Sequence, residues 1–250
     1  MKKNYEIVQY APTDVLKNVA ENVWLVDGPI IWFGFPWLKM PFPTRMTIIR
    51  MGDSDLLVHS PTRLTAALSD SVQALGRVRW LVGPNRLHHA WLSDWKAAFP
   101  AAQVYLAPGF PERIRRRMEF PFRMLSDGGA YPWDGEITTC AVGANFFAEV
   151  EFFHRRSRTL VLTDLIENFE EHKLASPSMR LLAKVGGVLD PNGSMPKDMR
   201  VSFRKRRSEL RAAIEMMISW HPERIIIAHG RWYEQEGAKE LQRAFRWLLH

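Results

Sequence analysis

Thiols are almost absent from this chain of 250 residues: Cys140 is the single cysteine. That excludes an internal disulfide and a thiolate zinc knuckle, and it suits a reducing compartment. No stretch reaches the roughly 18 uninterrupted apolar residues that a membrane-spanning helix requires. Met1-Lys2-Lys3 runs into Asn4, Tyr5 and Glu6 instead of an apolar segment, which predicts no secretory leader. Low-complexity tracts, internal repeats and linkers are missing as well. Together these absences predict one cytoplasmic α/β domain over residues 1–250.

What is present argues for a packed core. Hydrophobic residues make up 46% and charged residues 24%, a balance that excludes disorder. The formal net charge of +7 favours anionic partners without bearing on fold. No RNA-binding motif accompanies R-K-R-R at 204–207, which argues against a nucleic-acid partner.

Apolar runs predict strands over Val23–Asp27, Arg45–Met51, Asp55–His59, Val78–Val82 and Gln103–Ala107, then over Glu136–Val142, Phe147–His154, Arg158–Thr163 and Arg224–Ala228. Helices are expected over Thr65–Leu75, capped near Thr62, and over Trp91–Phe99, Ser178–Val185, Ser202–Trp220 and Gln235–Leu249. Residues 1–20 read as a lead-in. The stretch Ile30–Pro43 (I-I-W-F-G-F-P-W-L-K-M-P-F-P) is broken by proline and glycine, so it reads as an aromatic loop. Packed over a site, Trp32 and Trp37 would wall a pocket there.

The chemistry gathers at strand ends. His59 follows L-L-V, His88 and His89 follow V-R-W-L-V and a Gly83-Pro84-Asn85 turn, Asp164 follows T-L-V-L-T, and His229 follows I-I-I-A. Each alone has a bland explanation; His88 and His89 could be one helix cap and one solvated ring. Strand ends on one sheet edge converge, however, and histidines with one carboxylate suit zinc or non-haem iron. His88 and His89 can share an ion only if the backbone turns between them, because neighbouring strand residues face opposite ways.

The segments L-L-V-H-S-P-T, G-P-N-R-L-H-H-A-W-L-S-D-W, E-V-E-F-F-H-R-R-S-R-T-L-V-L-T-D-L and I-I-A-H-G resemble the metallo-β-lactamase superfamily, and within it the DUF4336 branch. The resemblance implies an αββα sandwich: two mixed β-sheets face to face, helices outside, metal at one edge. It also exposes departures. The superfamily's H-x-H-x-D-H motif, aligned on its last histidine, falls on Pro84, Arg86, His88 and His89. Its third-motif histidine would fall at Ala144 or Asn145. Ligands of a first metal are therefore missing, while His88, His89, Asp164 and His229 match those of a second.

One divalent ion per chain follows from the resemblance, zinc first and iron as the alternative. It implies a metal-dependent hydrolase acting on a small anionic substrate. Arg86 is then the candidate anion contact, and Asp164 or His59 would orient a water, with an extra metal ligand as the alternative role of His59. A non-haem iron oxidoreductase and a non-catalytic binding module remain the competing readings.

Overall fold

The computed structural model describes residues 7–35, 38–52, 54–116, 118–126, 129–143 and 147–250. Seven strands form the first sheet in sequence order: β1 (Lys17–Ala20), β2 (Val23–Phe35), β3 (Leu38–Met51), β4 (Asp55–His59), β5 (Arg77–Gly83), β6 (Gln103–Leu106) and β7 (Phe122–Met124). The first four run antiparallel and the last three join in parallel. The parallel crossovers carry α1 (Ala66–Leu75), α2 (Leu92–Ala98) and α3 (Glu112–Arg115). Four strands form the second sheet, in the order β11 (Arg224–Ile226), β10 (Thr159–Val161), β9 (Ala148–His154) and β8 (Ile137–Gly143). In it, only β10 and β11 are parallel.

Period-two alternation decides which face each side chain serves. Val150 and Phe152 of β9, Val161 of β10 and Ile226 of β11 pack on Ile48, Leu57 and Leu81 of the larger sheet. Phe153, Leu160 and Ile225 point the other way, onto α6 (Arg207–Ser219), α7 (Gly237–Ala244) and α8 (Arg246–Leu249). Two mixed sheets flanked by helices result, the αββα sandwich that the resemblance implied. Two further helices, α4 (Pro177–Gly186) and α5 (Lys197–Ser202), lie in the long connection between β10 and β11.

Several expectations need correction. The described residues of Ile30–Pro43 form a β-ribbon, not a loop: residues 30–35 pair with 38–43, Ile30 opposite Pro43, Trp32 opposite Pro41 and Phe33 opposite Met40. β1 pairs with β2 only as far as Leu25, and β4 with β3 only from Thr47, so the far half of the ribbon has no third strand among the described residues. Pro41 and Pro43, two apart, turn their missing N–H groups toward one such open edge, where no ladder bond is lost. Residues 17–20, expected as lead-in, form β1, and β7 was not anticipated.

The long helix expected over Ser202–Trp220 starts only at Arg207. Phe203, 1% exposed, is driven into the core and separates α5 from α6 through a 3₁₀ turn at Arg204–Arg206. Phe245 divides α7 from α8 in the same way. Thr65, not Thr62, caps α1, accepting from the Leu68 N–H at 3.2 Å. The Thr62 carbonyl instead accepts from the Trp95 indole at 2.7 Å.

One buried ion pair ties the ribbon to the smaller sheet. Arg45 of β3 donates to Asp27 (2.8 Å) and to the carbonyls of Ile227 and Gly230 (2.8 Å each). Lys17 of β1 holds the other Asp27 oxygen at 2.7 Å. The backbone on both sides of His229 is thereby anchored to the base of the ribbon.

Candidate metal centre

The histidine loop is shaped by Asn85. Its side-chain oxygen accepts from the N–H groups of Leu87 (2.8 Å) and His88 (3.1 Å), bending the chain straight after β5. Its amide donates to Glu149 (3.0 Å), to the Thr163 hydroxyl (3.0 Å) and to Asp164 Oδ2 (2.8 Å). Glu149, fully buried on β9, in turn accepts from the N–H groups of Thr163 (2.7 Å) and Asp164 (2.9 Å). One amide and one carboxylate thus lock the His88 loop onto the turn that carries Asp164.

Three side chains meet there. His88 Nε2 lies 3.2 Å and His229 Nε2 3.0 Å from the same oxygen, Asp164 Oδ1. The outer nitrogens are already committed: His88 Nδ1 bonds the Ser60 hydroxyl at 2.7 Å, and His229 Nδ1 donates to the Pro43 carbonyl at 2.7 Å. Ser60 adopts a left-handed backbone, φ 53°, a conformation uncommon for residues other than glycine. Such outer hydrogen bonds fix the tautomer and orientation of metal-binding imidazoles. The three donor atoms lie within 4.8 Å of one another, and small side-chain rotations bring them inside the roughly 4.2 Å that two bonds of about 2.1 Å to one ion can span. This donor set fits a divalent cation.

Charge reinforces the arrangement. Burial opposes ionisation of Asp164, but His88 and His229 outweigh it and hold the carboxyl well below its ordinary range. Burial likewise disfavours a charged His88, and the Asp164 charge overcomes it, so the His88 pKa is raised.

Of the residues singled out from sequence, His88, Asp164 and His229 come together and His89 does not. After the Asn85 turn the two neighbouring rings diverge, and His89 packs edge-on against Phe110 with centroids 5.3 Å apart. His59 is 1% exposed, lies edge-on to Phe152 at 5.2 Å and does not line the cavity. Burial and then the His88 charge push its pKa down to about 3.

That shift has a pH consequence. With the folded pKa below the unfolded value of about 6.5, the unfolded chain takes up the proton first as pH falls. The contribution is complete above pH 6.5 and is lost toward pH 3. From pH 7 to pH 5 the wild type should lose about 2 kcal/mol relative to His59→Leu in urea unfolding. Parallel pH profiles for the two proteins would refute a neutral buried His59.

A cavity of about 580 Å³ opens over the cluster. Ile31, Phe33, Met40 and Phe42, alternate residues of the ribbon, form one wall, with Leu87, Trp91, Phe147 and Met199 adding apolar surface. Arg86 lines it, as do His88, His89, Asp164, His229, Glu167 and Asp198. Trp32 is on the opposite face of β2 from Ile31 and Phe33, is 39% exposed and is not in the lining. Trp37 lies outside the described residues, as do Ala144 and Asn145.

Sequence reasoning missed Ser60, Asn85, Glu149 and Glu167. Asn85 was read as turn chemistry only. Glu149 and Glu151 had a visible signal, two carboxylates alternating with apolar residues in E-V-E-F-F-H. Glu167 sits in the cavity wall. Burial raises its pKa, His229 opposes and the Asp164 charge adds, bringing it to about 8.

Comparison with known proteins bears on both fold and family. Among solved structures, the chain is similar to DIM-1 metallo-β-lactamase (TM-score 0.59, 11% identity, covering 93% of this chain and 96% of that one). It is also similar to a metallo-β-lactamase from Pontibacter korlensis (TM-score 0.57, 9% identity, 94% and 98%). A third is FIM-1 from Pseudomonas aeruginosa in a mono-zinc form (TM-score 0.55, 11% identity, 94% and 96%). A search of curated protein sequences found no match. The family model described as "Domain of unknown function (DUF4336)" matches residues 21–184. With that match over most of its length and an αββα sandwich shared with the metallo-β-lactamases, the chain belongs to the DUF4336 family and carries the metallo-β-lactamase fold.

Proposed function

We propose that the protein is a single-metal hydrolase whose ion is held by His88, Asp164 and His229, and that a small anionic substrate binds in the cavity above them. The observation that carries this reading is the convergence of two imidazole Nε2 atoms on one Asp164 oxygen while both Nδ1 atoms are engaged elsewhere. Bound there, a divalent ion supplies Lewis acidity, polarising a substrate oxygen and lowering the pKa of a coordinated water toward about 7.

The remaining work falls to the chain's own residues. Arg86 places a positive charge in the cavity wall for the anionic group of the substrate. Glu167, with its pKa near 8, exchanges a proton at neutral pH, a role distinct from the orienting of a water expected of Asp164 or His59. Ile31, Phe33, Met40 and Phe42 keep one side of the cavity dry. His89 stays neutral at the cavity wall, since burial and then the His88 charge lower its pKa.

One ion per chain is expected: His88, Asp164 and His229 are the one such donor group among the described residues, and FIM-1 was solved in a mono-zinc form. Elemental analysis of protein purified without chelator tests this. About one equivalent of zinc, with hydrolysis of an anionic ester or phosphodiester lost on chelation, supports the proposal; two tightly bound ions refute it. Two imidazoles and one carboxylate around an open coordination sphere also suit ferrous oxygen chemistry. One equivalent of iron with oxygen-dependent turnover would favour that second reading.

A further inference from the structure

Positive charge is concentrated in one part of the chain. Residues 177–207 hold eight Lys and Arg (180, 184, 197, 200, 204, 205, 206 and 207) against two Asp (190 and 198), which is +6 of the net +7. This segment is α4, α5 and the turn after them, and α4 and α5 are tied together locally. Ser194 joins the two helices, donating to the Gly187 carbonyl at the end of α4 (2.7 Å) and accepting from Arg200 of α5 (2.8 Å). A Cβ at Gly187 would stand 3.6 Å from the Lys197 side chain.

The same segment exposes large aliphatic residues. The inner side of α4 is satisfied, with Ala183 buried among Ile7, Phe169, Leu174 and Val188. Its outer side shows Leu181 (63% exposed), Leu182 (50%) and Val185 (60%), and Leu181 and Val185 stack one turn apart. On α5, Met199 and Ser202 line the metal cavity while Val201 between them is 70% exposed. Lys184, Lys197, Arg204 and Lys205 of the same segments are exposed as well.

We propose that the α4–α5 face binds the surface of an anionic phospholipid bilayer, laying Leu181, Val185 and Val201 into the headgroup boundary with Lys184, Lys197, Arg204 and Lys205 on lipid phosphates. Exposed aliphatics ringed by basic residues are the composition of interfacial membrane-binding surfaces. Nucleic acid would account for the charge but not for the aliphatics, since single-strand binders add aromatic platforms to a basic groove. No helix among the described residues is long and apolar enough to cross a bilayer, so the contact lies on its surface. The cavity opens beside this face, through Met199 and Ser202.

Co-sedimentation with vesicles tests the proposal, using the full chain without added metal, so that failure here and failure of the metal reading are separate events. The wild type should pellet with phosphatidylcholine vesicles containing phosphatidylserine, stay in solution with phosphatidylcholine alone, and be released by high salt. The R204S/K205S double variant should bind about 25-fold more weakly, at roughly five-fold for each charge. L181S/V185S/V201S should lose at least as much while melting at the wild-type temperature, because these side chains are exposed. Wild type that ignores the anionic vesicles at low salt overturns the proposal. So does an aliphatic variant that still binds them fully, or binding to single-stranded RNA that matches vesicle binding and survives the aliphatic substitutions.

Discussion

His88→Ala and His229→Ala should each lose metal affinity by well over a hundred-fold, while His89→Ala retains its ion. Removal of a group that only supports a ligand typically costs 10–100-fold, and loss of a donor atom costs more. The separation between the two neighbouring histidines is what makes this test sharp. His88 Nε2 is 3.2 Å from Asp164, whereas the His89 ring lies against Phe110 and falls outside the three-residue cluster. Competition against a chromophoric chelator measures the affinities, and cobalt substitution reports whether the remaining donors still surround the ion. A His89→Ala protein as metal-poor as His88→Ala would mean that the loop rearranges to bring both rings onto the ion.

Glu149→Ala should be the most damaging substitution for stability, at about 3–5 kcal/mol, because it strands donors that water cannot reach. The carboxylate is fully buried and accepts from Thr163 N–H, Asp164 N–H and the Asn85 amide. Glu151, two residues along β9, is pushed well above the usual carboxyl range by burial and then by the charge of Glu149. Burial and that neighbouring charge thus disfavour a second carboxylate charge beside Glu149. Total stabilities of about 5–15 kcal/mol leave little after such a loss. Glu149→Gln retains an acceptor oxygen and should cost less. Its Asp164 turn is still loosened, so metal affinity should fall even where the protein stays folded. Urea unfolding of both variants decides it; a loss under about 1 kcal/mol for Glu149→Ala would show that the turn is held by other means.

Much of the fold was legible because it follows from local pattern. Apolar runs such as V-R-W-L-V and R-I-I-I-A announce strands, and the residues beyond them announce a site. The ribbon of residues 30–35 and 38–43 reads as a loop in the sequence because proline and glycine usually end strands. That rule weakens where a strand has an open edge, and no local pattern reveals which strands will lack a neighbour. The helix expected over Ser202–Trp220 was misplaced for a related reason: periodicity continues through Phe203, but burial of that ring breaks the backbone path.

His59, His88, His89, Asp164 and His229 were all identified as candidate donors by the sequence alone, since each ends or follows an apolar strand. Which of them share one point in space was a tertiary decision. Asn85 turns the chain so that two adjacent imidazoles part, and Glu149 ties that turn to a strand end 79 residues from Asn85 through Asp164. Pro43, on a stretch read as loop, presents the carbonyl that aims His229. Identity and order along the chain determine which donors exist. Their convergence depends on hydrogen bonds between segments far apart in sequence, and these form only when the two sheets close on each other.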